Sequence, residues 1–318
     1  MSTKMKRKVK IKKKNMAIFI TFIIVFAFAI YEIGYVIVKV ITTSKEPKVE
    51  EKVKEKKTIK KKEPKKELSD YGEKLNKLDN INKEINYFRE ENIDRYIKYK
   101  EENPEIGTIQ IIKDVNMNLD LTPYDDKIKA INLDTETILV NKYYYLDDNY
   151  IPDNLERIKS QYALSGMKLV DYAKDAFENM AKAAAKEDLN IVAMSTYRSY
   201  NYQVNLYKRY AREDGTEKAD TYSGRPGHSE HQTGLAVDVY NQKETYTNFE
   251  KTDEFDWMQE HAHEYGFILR FPKDKVRETG YIYESWHYRY VGKHLANILY
   301  KNNYTLEEYY ATKKKISN

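Results

Sequence analysis

Ser223-Gly224-Arg225-Pro226-Gly227-His228-Ser229-Glu230-His231-Gln232-Thr233-Gly234-Leu235-Ala236-Val237-Asp238-Val239 is the stretch on which the reading of this chain turns. Gly and Pro crowd its front and mark a loop, and Gly234 relieves the backbone before an apolar strand. Successive strand residues point to opposite faces. Leu235, Val237 and Val239 therefore share one face, and Ala236 and Asp238 the other. A carboxylate beside a small Ala is aimed into a site rather than into a core. His231, just before the turn, can fold back toward the same point.

Working outward, Thr137 to Val140 and Asn190 to Thr196 read as strands, and Leu235 to Tyr240 as a third. Met167 to Lys186 places Leu169, Val170, Ala173, Phe177, Met180, Ala181 and Ala184 at the spacing of an amphipathic helix. Ser199 to Arg212 reads as a second helix, and Asp253 to Tyr265 as a third, ended by Gly266. Helices and strands alternate irregularly, which predicts an α+β domain.

Two further stretches complete a chemistry. Tyr283-Glu284-Ser285-Trp286-His287-Tyr288-Arg289-Tyr290 offers a His with an acid three residues earlier. His231, Asp238 and His287 make a ligand set of nitrogen and oxygen donors that suits a catalytic zinc with one position left open. Glu284 is then the base that takes a proton from water and passes it to a departing amine. In Ser195-Thr196-Tyr197-Arg198-Ser199, the permanently charged Arg198 at a strand exit is placed to stabilise an oxyanion. The remaining histidines read blandly: His228 as a loop residue, His261 and His263 as helix neighbours facing different ways, and His294 as helical surface. Trp286 and the tyrosines around it read mainly as packing.

The pattern Ser229-x-His231-x-x-Gly234-x-Ala236-x-Asp238 followed by Glu284-x-Trp286-His287 resembles the D-alanyl-D-alanine carboxypeptidase family of zinc peptidases. The likeness is greatest to the branch that includes enzymes of vancomycin resistance and the L,D-carboxypeptidases. It runs from about Ile131 to Tyr310, and Asn141-Lys142, Tyr150-Ile151-Pro152, Tyr197-Arg198-Ser199-Tyr200, Tyr265 to Arg270 and Thr279-Gly280-Tyr281 share in it. The resemblance implies a small antiparallel sheet flanked by helices, as in Hedgehog-type domains. It implies zinc at His231, Asp238 and His287, Glu284 as base, Arg198 as transition-state stabiliser, and Ser229 and Gln203 as substrate contacts. Ser285 stands where Pro is common. The reaction implied is removal of a C-terminal D-alanine from peptidoglycan stem peptides, by D,D- or L,D-cleavage. A zinc pocket that binds wall peptides without cutting, or an endopeptidase of the same chemistry, shares the motif; a pure binder has no need of Glu284.

The rest of the chain is organised by charge. Residues 1–15 carry eight Lys or Arg and no acid, and residues 16–41 form an almost uncharged apolar run. About 20 apolar residues cross a bilayer as a helix, and the basic cluster before the run puts the N-terminus in the cytoplasm. A single-pass anchor with everything after residue 41 on the cell-wall side is the expectation. A cleaved signal peptide, with Ala27-Phe28-Ala29 at the cut, is the alternative. Residues 42–68 hold eleven Lys and six Glu with two Pro, and read as a solvated tether. The basic balance belongs to these tails, so nucleic acid is not an expected partner. Residues 69–130 read as an accessory region of polar helices (Leu75 to Lys100) and short strands such as Thr108 to Ile112; residues 131–312 are the expected catalytic domain. The chain has no Cys, which removes disulfides, thiolate catalysis and Cys-ligated metals.

Overall fold

The computed structural model describes residues 85–313. The expected tail, anchor and tether, and residues 69–84, lie outside them. Among the described residues no helix is long and apolar enough to cross a membrane.

Two helices come first, α1 (Ile93–Glu102) and α2 (Thr108–Asn116). The reading of Thr108 to Ile112 as a strand is corrected here. Its β-branched residues suit a strand, but Ile111, Ile112 and Val115 fall on one helical face and are fully buried with Tyr96 of α1. Burial of that face outweighs the weak local preference. Short strands β1 (Ile128–Lys129) and β2 (Tyr144–Tyr145) pair in parallel, and β3 (Leu155–Arg157) pairs with β4 (Lys168–Val170) antiparallel. The helix expected from Met167 therefore begins only with α3 (Asp171–Ala184), because Val170 N donates to Gly234 O instead of turning.

Then follow β5 (Val192–Ser195), α4 (Tyr200–Asp214) and α5 (Thr216–Tyr222). Ser199 caps α4 by accepting the Tyr202 N–H, a stabilising arrangement at a helix start. A 3₁₀ turn (Glu230–Thr233) leads into β6 (Ala236–Tyr240). After it come α6 (Asp253–His261), β7 (Phe267–Leu269), α7 (Val276–Thr279), β8 (His287–Tyr290), α8 (Lys293–Asn302) and α9 (Leu306–Thr312). The main sheet has the order β5-β6-β8-β7 with every neighbour antiparallel. This is the mixed fold of helices around a small sheet that the motif implied.

Leu235, Val237, Val239 and Tyr288 sink into a core shared with Phe177, Met180 and Phe267. The face assignment made from the alternation holds. Thr137 to Val140 forms no strand, contrary to expectation, although Ile138 and Val140 are buried. The carbonyls of Glu136 and Ile138 accept from the buried Arg289 guanidinium at 3.2 and 2.7 Å, so the segment meets its hydrogen-bonding needs without a partner strand.

Residues before 131 pack on the catalytic region. Asp114, fully buried, pairs with Arg277. Asn116 Nδ2 donates to Ala311 O at 2.9 Å, and Arg89 Nη2 to Tyr310 O at 2.7 Å. The Tyr124 and Tyr281 hydroxyls meet at 3.4 Å.

Candidate metal centre

Strand register builds the site. In the β6–β8 ladder Asp238 stands opposite His287, and in the β5–β6 pair Ser195 stands opposite Asp238 across an irregularity between Ala193 and Ser195. Side chains of directly opposed residues lie within reach of each other on one face. His231 arrives from the 3₁₀ turn. That turn ends at Gly234 with φ 68°, where an added Cβ would meet Leu155 Cδ2 at 2.9 Å. Both the left-handed backbone and the close approach favour Gly there. Two bonds tie the turn to the loop after β5: His231 Nδ1 to Thr196 O at 2.7 Å, and Arg198 N–H to His231 O at 3.1 Å.

His231, Asp238 and His287 each offer one ligand atom, and these atoms lie within 4.8 Å of one another. Asp238 Oδ2 is 3.3 Å from His231 Nε2, and Oδ1 is 2.9 Å from His287 Nδ1. Among the described residues no other such trio occurs. Glu284 Oε2 lies 3.8 Å from His287 Nδ1, and Arg198 Nη1 lies 3.6 Å from Asp238 Oδ2 while donating to Ser195 Oγ at 3.0 Å.

Burial sets the proton affinities. It pushes His231 down to about 4, so this ring is neutral and can donate a lone pair. It pushes the Glu284 carboxyl up to about 8, helped by the charges of Asp238 and Glu230. Burial alone would raise Asp238, but the two imidazoles hold it well below the usual carboxylate range. Burial alone would lower His287, but hydrogen bonds to Asp238 and Glu230 raise it to about 9. Two carboxylates and two imidazoles thus converge, with Arg198 beside them. A divalent ion fits this set: the donors match zinc's preference for His nitrogen and carboxylate oxygen, and His231 already bonds a carbonyl through Nδ1, leaving Nε2 toward the ligand cluster.

The centre opens into a cavity of about 420 Å³ lined by Arg198, Ser229, Glu284, Trp286, Tyr246 and Tyr210, among others. The structure thus brings together six of the seven expected residues. Gln203 stands apart: it does not line the cavity but lies behind its wall, donating to Gly224 O at 2.7 Å and Ser223 Oγ at 3.3 Å. Trp286 is a cavity wall, stacked edge-on against Tyr246 at 4.9 Å, while Tyr288 is core. His228 is buried against Asn141 O, His261 lies by Trp257, His263 stacks on Tyr300, and His294 is exposed. A second cavity of about 390 Å³, lined by Met258, Phe267 and Tyr300, holds none of the seven.

Behind the centre lies a cluster that the sequence reading missed. Glu230 Oε1 accepts from Arg270 Nε at 2.8 Å and Arg289 Nη1 at 2.9 Å. Arg270 gives its other two nitrogens to Glu307 at 2.9 and 2.6 Å. All four side chains are essentially inaccessible. The signal available in sequence was slight: Arg289 sits inside an aromatic strand, and Glu230 between two residues of the motif.

A family model for D-alanyl-D-alanine carboxypeptidases (VanY) matches residues 166–293. The putative carboxypeptidase YodJ of Bacillus subtilis (strain 168) is 40% identical over 191 residues, covering 56% of this chain and 68% of YodJ. The solved structure of the LD-carboxypeptidase LdcB, described as revealing the basis of peptidoglycan recognition, superposes with TM-score 0.57 at 37% identity, over 62% of this chain and 95% of LdcB. VanYB in complex with D-alanine-D-alanine gives TM-score 0.50 at 30% identity, over 56% of this chain and 99% of VanYB.

Proposed function

This chain belongs to the D-alanyl-D-alanine carboxypeptidase family, and from that premise we propose that it removes a C-terminal D-alanine from peptidoglycan stem peptides at a zinc ion held by His231, Asp238 and His287. The observation that carries the reading is the convergence of those three donors within 4.8 Å, with Glu284 buried beside them. Zinc bound there would polarise the scissile carbonyl and make a water molecule acidic enough to lose a proton near neutral pH.

The chain's own groups do the rest. Glu284, beside the three donors, takes the proton from the attacking water and delivers it to the departing amine. Arg198, braced by Ser195 Oγ, presents positive charge to the carbonyl oxygen as it becomes anionic. Ser229, on the cavity wall, is placed to contact the peptide. We place the enzyme at the membrane, anchored by residues 16–41 with the catalytic domain on the wall side; the basic cluster Lys4 to Lys14 favours that orientation.

The test is zinc-loaded protein incubated with defined muropeptides ending in tetra- and pentapeptides, read by mass spectrometry. Loss of one alanine from either is expected, and which one is cut assigns L,D- or D,D-cleavage. No release from either, at full zinc occupancy, would refute the reading. For the anchor, protease added to intact cells should degrade the catalytic domain; full protection would place it inside.

A further inference from the structure

We propose that Glu230 is a positioning residue for the metal centre: its Oε2 accepts the Nε2–H of His287, so that a zinc ion, on binding, displaces the proton from Nδ1, the nitrogen that faces Asp238 Oδ1 at 2.9 Å. This rests on the zinc reading above. The two atoms are buried, neither has any other hydrogen-bond partner, and they face each other at 3.6 Å. That separation exceeds a formed bond by roughly 0.7 Å, which a small rotation of either side chain closes. A buried polar atom left without a partner costs about 1–3 kcal/mol, so two orphans facing each other are better explained as one interaction than as two defects.

The rest of the cluster fixes which atom is the donor. Glu230 Oε1 is already claimed by Arg270 and Arg289 at 2.8 and 2.9 Å. With two guanidinium groups donating to Oε1, the carboxylate of Glu230 presents Oε2 as an acceptor. The proton in the contact must therefore belong to His287 Nε2. Glu230 cannot swing away, because Arg270 is itself clamped by Glu307, and Arg289 by the carbonyl of Ile138. His231 receives the same service from Thr196 O at its Nδ1. The two histidines are thus presented through opposite ring nitrogens, His231 by Nε2 and His287 by Nδ1.

The first test needs no variant. In zinc-loaded protein labelled with ¹⁵N-histidine, long-range ¹H–¹⁵N correlations should show the His287 proton on Nε2 and none on Nδ1. A proton on Nδ1 overturns the proposal. The second compares Glu230→Gln with Glu307→Gln by competition against a zinc chelator. Glu230→Gln should weaken zinc binding about 10- to 100-fold. Glu307→Gln disturbs the same arginine from its far side and should lower the melting temperature with zinc affinity within about 3-fold. Equal loss of affinity in both would reduce Glu230 to a packing role and overturn the proposal. If Glu230→Gln fails to fold, the wild-type spectrum decides. Wild-type protein that takes up no zinc would sink the functional reading and this one together; zinc-loaded protein with the wrong tautomer sinks only this one.

Discussion

Two charged clusters meet at the two nitrogens of one imidazole, and they are built on opposite terms. At the Nε2 edge of His287, Glu230 and Glu307 are matched by Arg270 and Arg289, so positive and negative charges balance within the chain. At the Nδ1 edge, Asp238 and Glu284 converge with His231, and Arg198 stands 3.6 Å from Asp238. Removing charge from water is tolerated only when a partner replaces the water. The rear cluster supplies its partners itself. The front one gathers two carboxylates and two imidazoles around one shared point with a single arginine at its margin, and that asymmetry marks the side suited to an ion.

The contrast can be attacked from either side. The largest effect belongs to the front: Glu284→Gln should cut turnover by about 10³- to 10⁴-fold with zinc affinity nearly unchanged, measured by D-alanine release and chelator competition. More than a tenth of wild-type turnover would mean another group takes the proton. At the rear, Arg270→Met strands the buried Glu307 and takes one of two arginines from Glu230, and should cost about 3–5 kcal/mol of stability, read by urea unfolding. A loss below about 1 kcal/mol would show that the rear cluster is not self-neutralising in the sense argued. Arg198→Ala should lower kcat by about 10²- to 10³-fold without moving the unfolding midpoint; a folding defect instead would assign Arg198 to structure. Gln203→Leu is the smallest, about 1 kcal/mol of stability through its bonds to Ser223 and Gly224. A raised KM at unchanged stability would restore it as a substrate contact.

The front was legible because its groups sit in short motifs whose residue types betray the chemistry. What sequence could not supply was the pairing of Asp238 with His287, 49 residues apart, since register between distant strands is decided by the packed sheet. The rear cluster was invisible for a related reason. Glu230 comes from the 3₁₀ turn, Arg270 from just past β7, Arg289 from β8 and Glu307 from α9, and nothing local announces that a charged residue will be buried. Thr108 to Ile112 misled because β-branched residues favour strands in isolation, whereas Tyr96 offered their helical face somewhere to go. Thr137 to Val140 misled because a side chain, Arg289, took the place of a neighbouring strand.

The join between the first two helices and the last one bears on how this protein can be dissected. Composition invites a cut near Ile131, yet that cut would bare the Arg277 partner site, unsaturate the end of α9 and remove the tyrosine that steadies Tyr281 on the rim of the cavity. Any truncation or fusion meant to preserve the enzyme has to begin upstream of Arg89, because the stretch before the motif serves as a strut rather than as baggage.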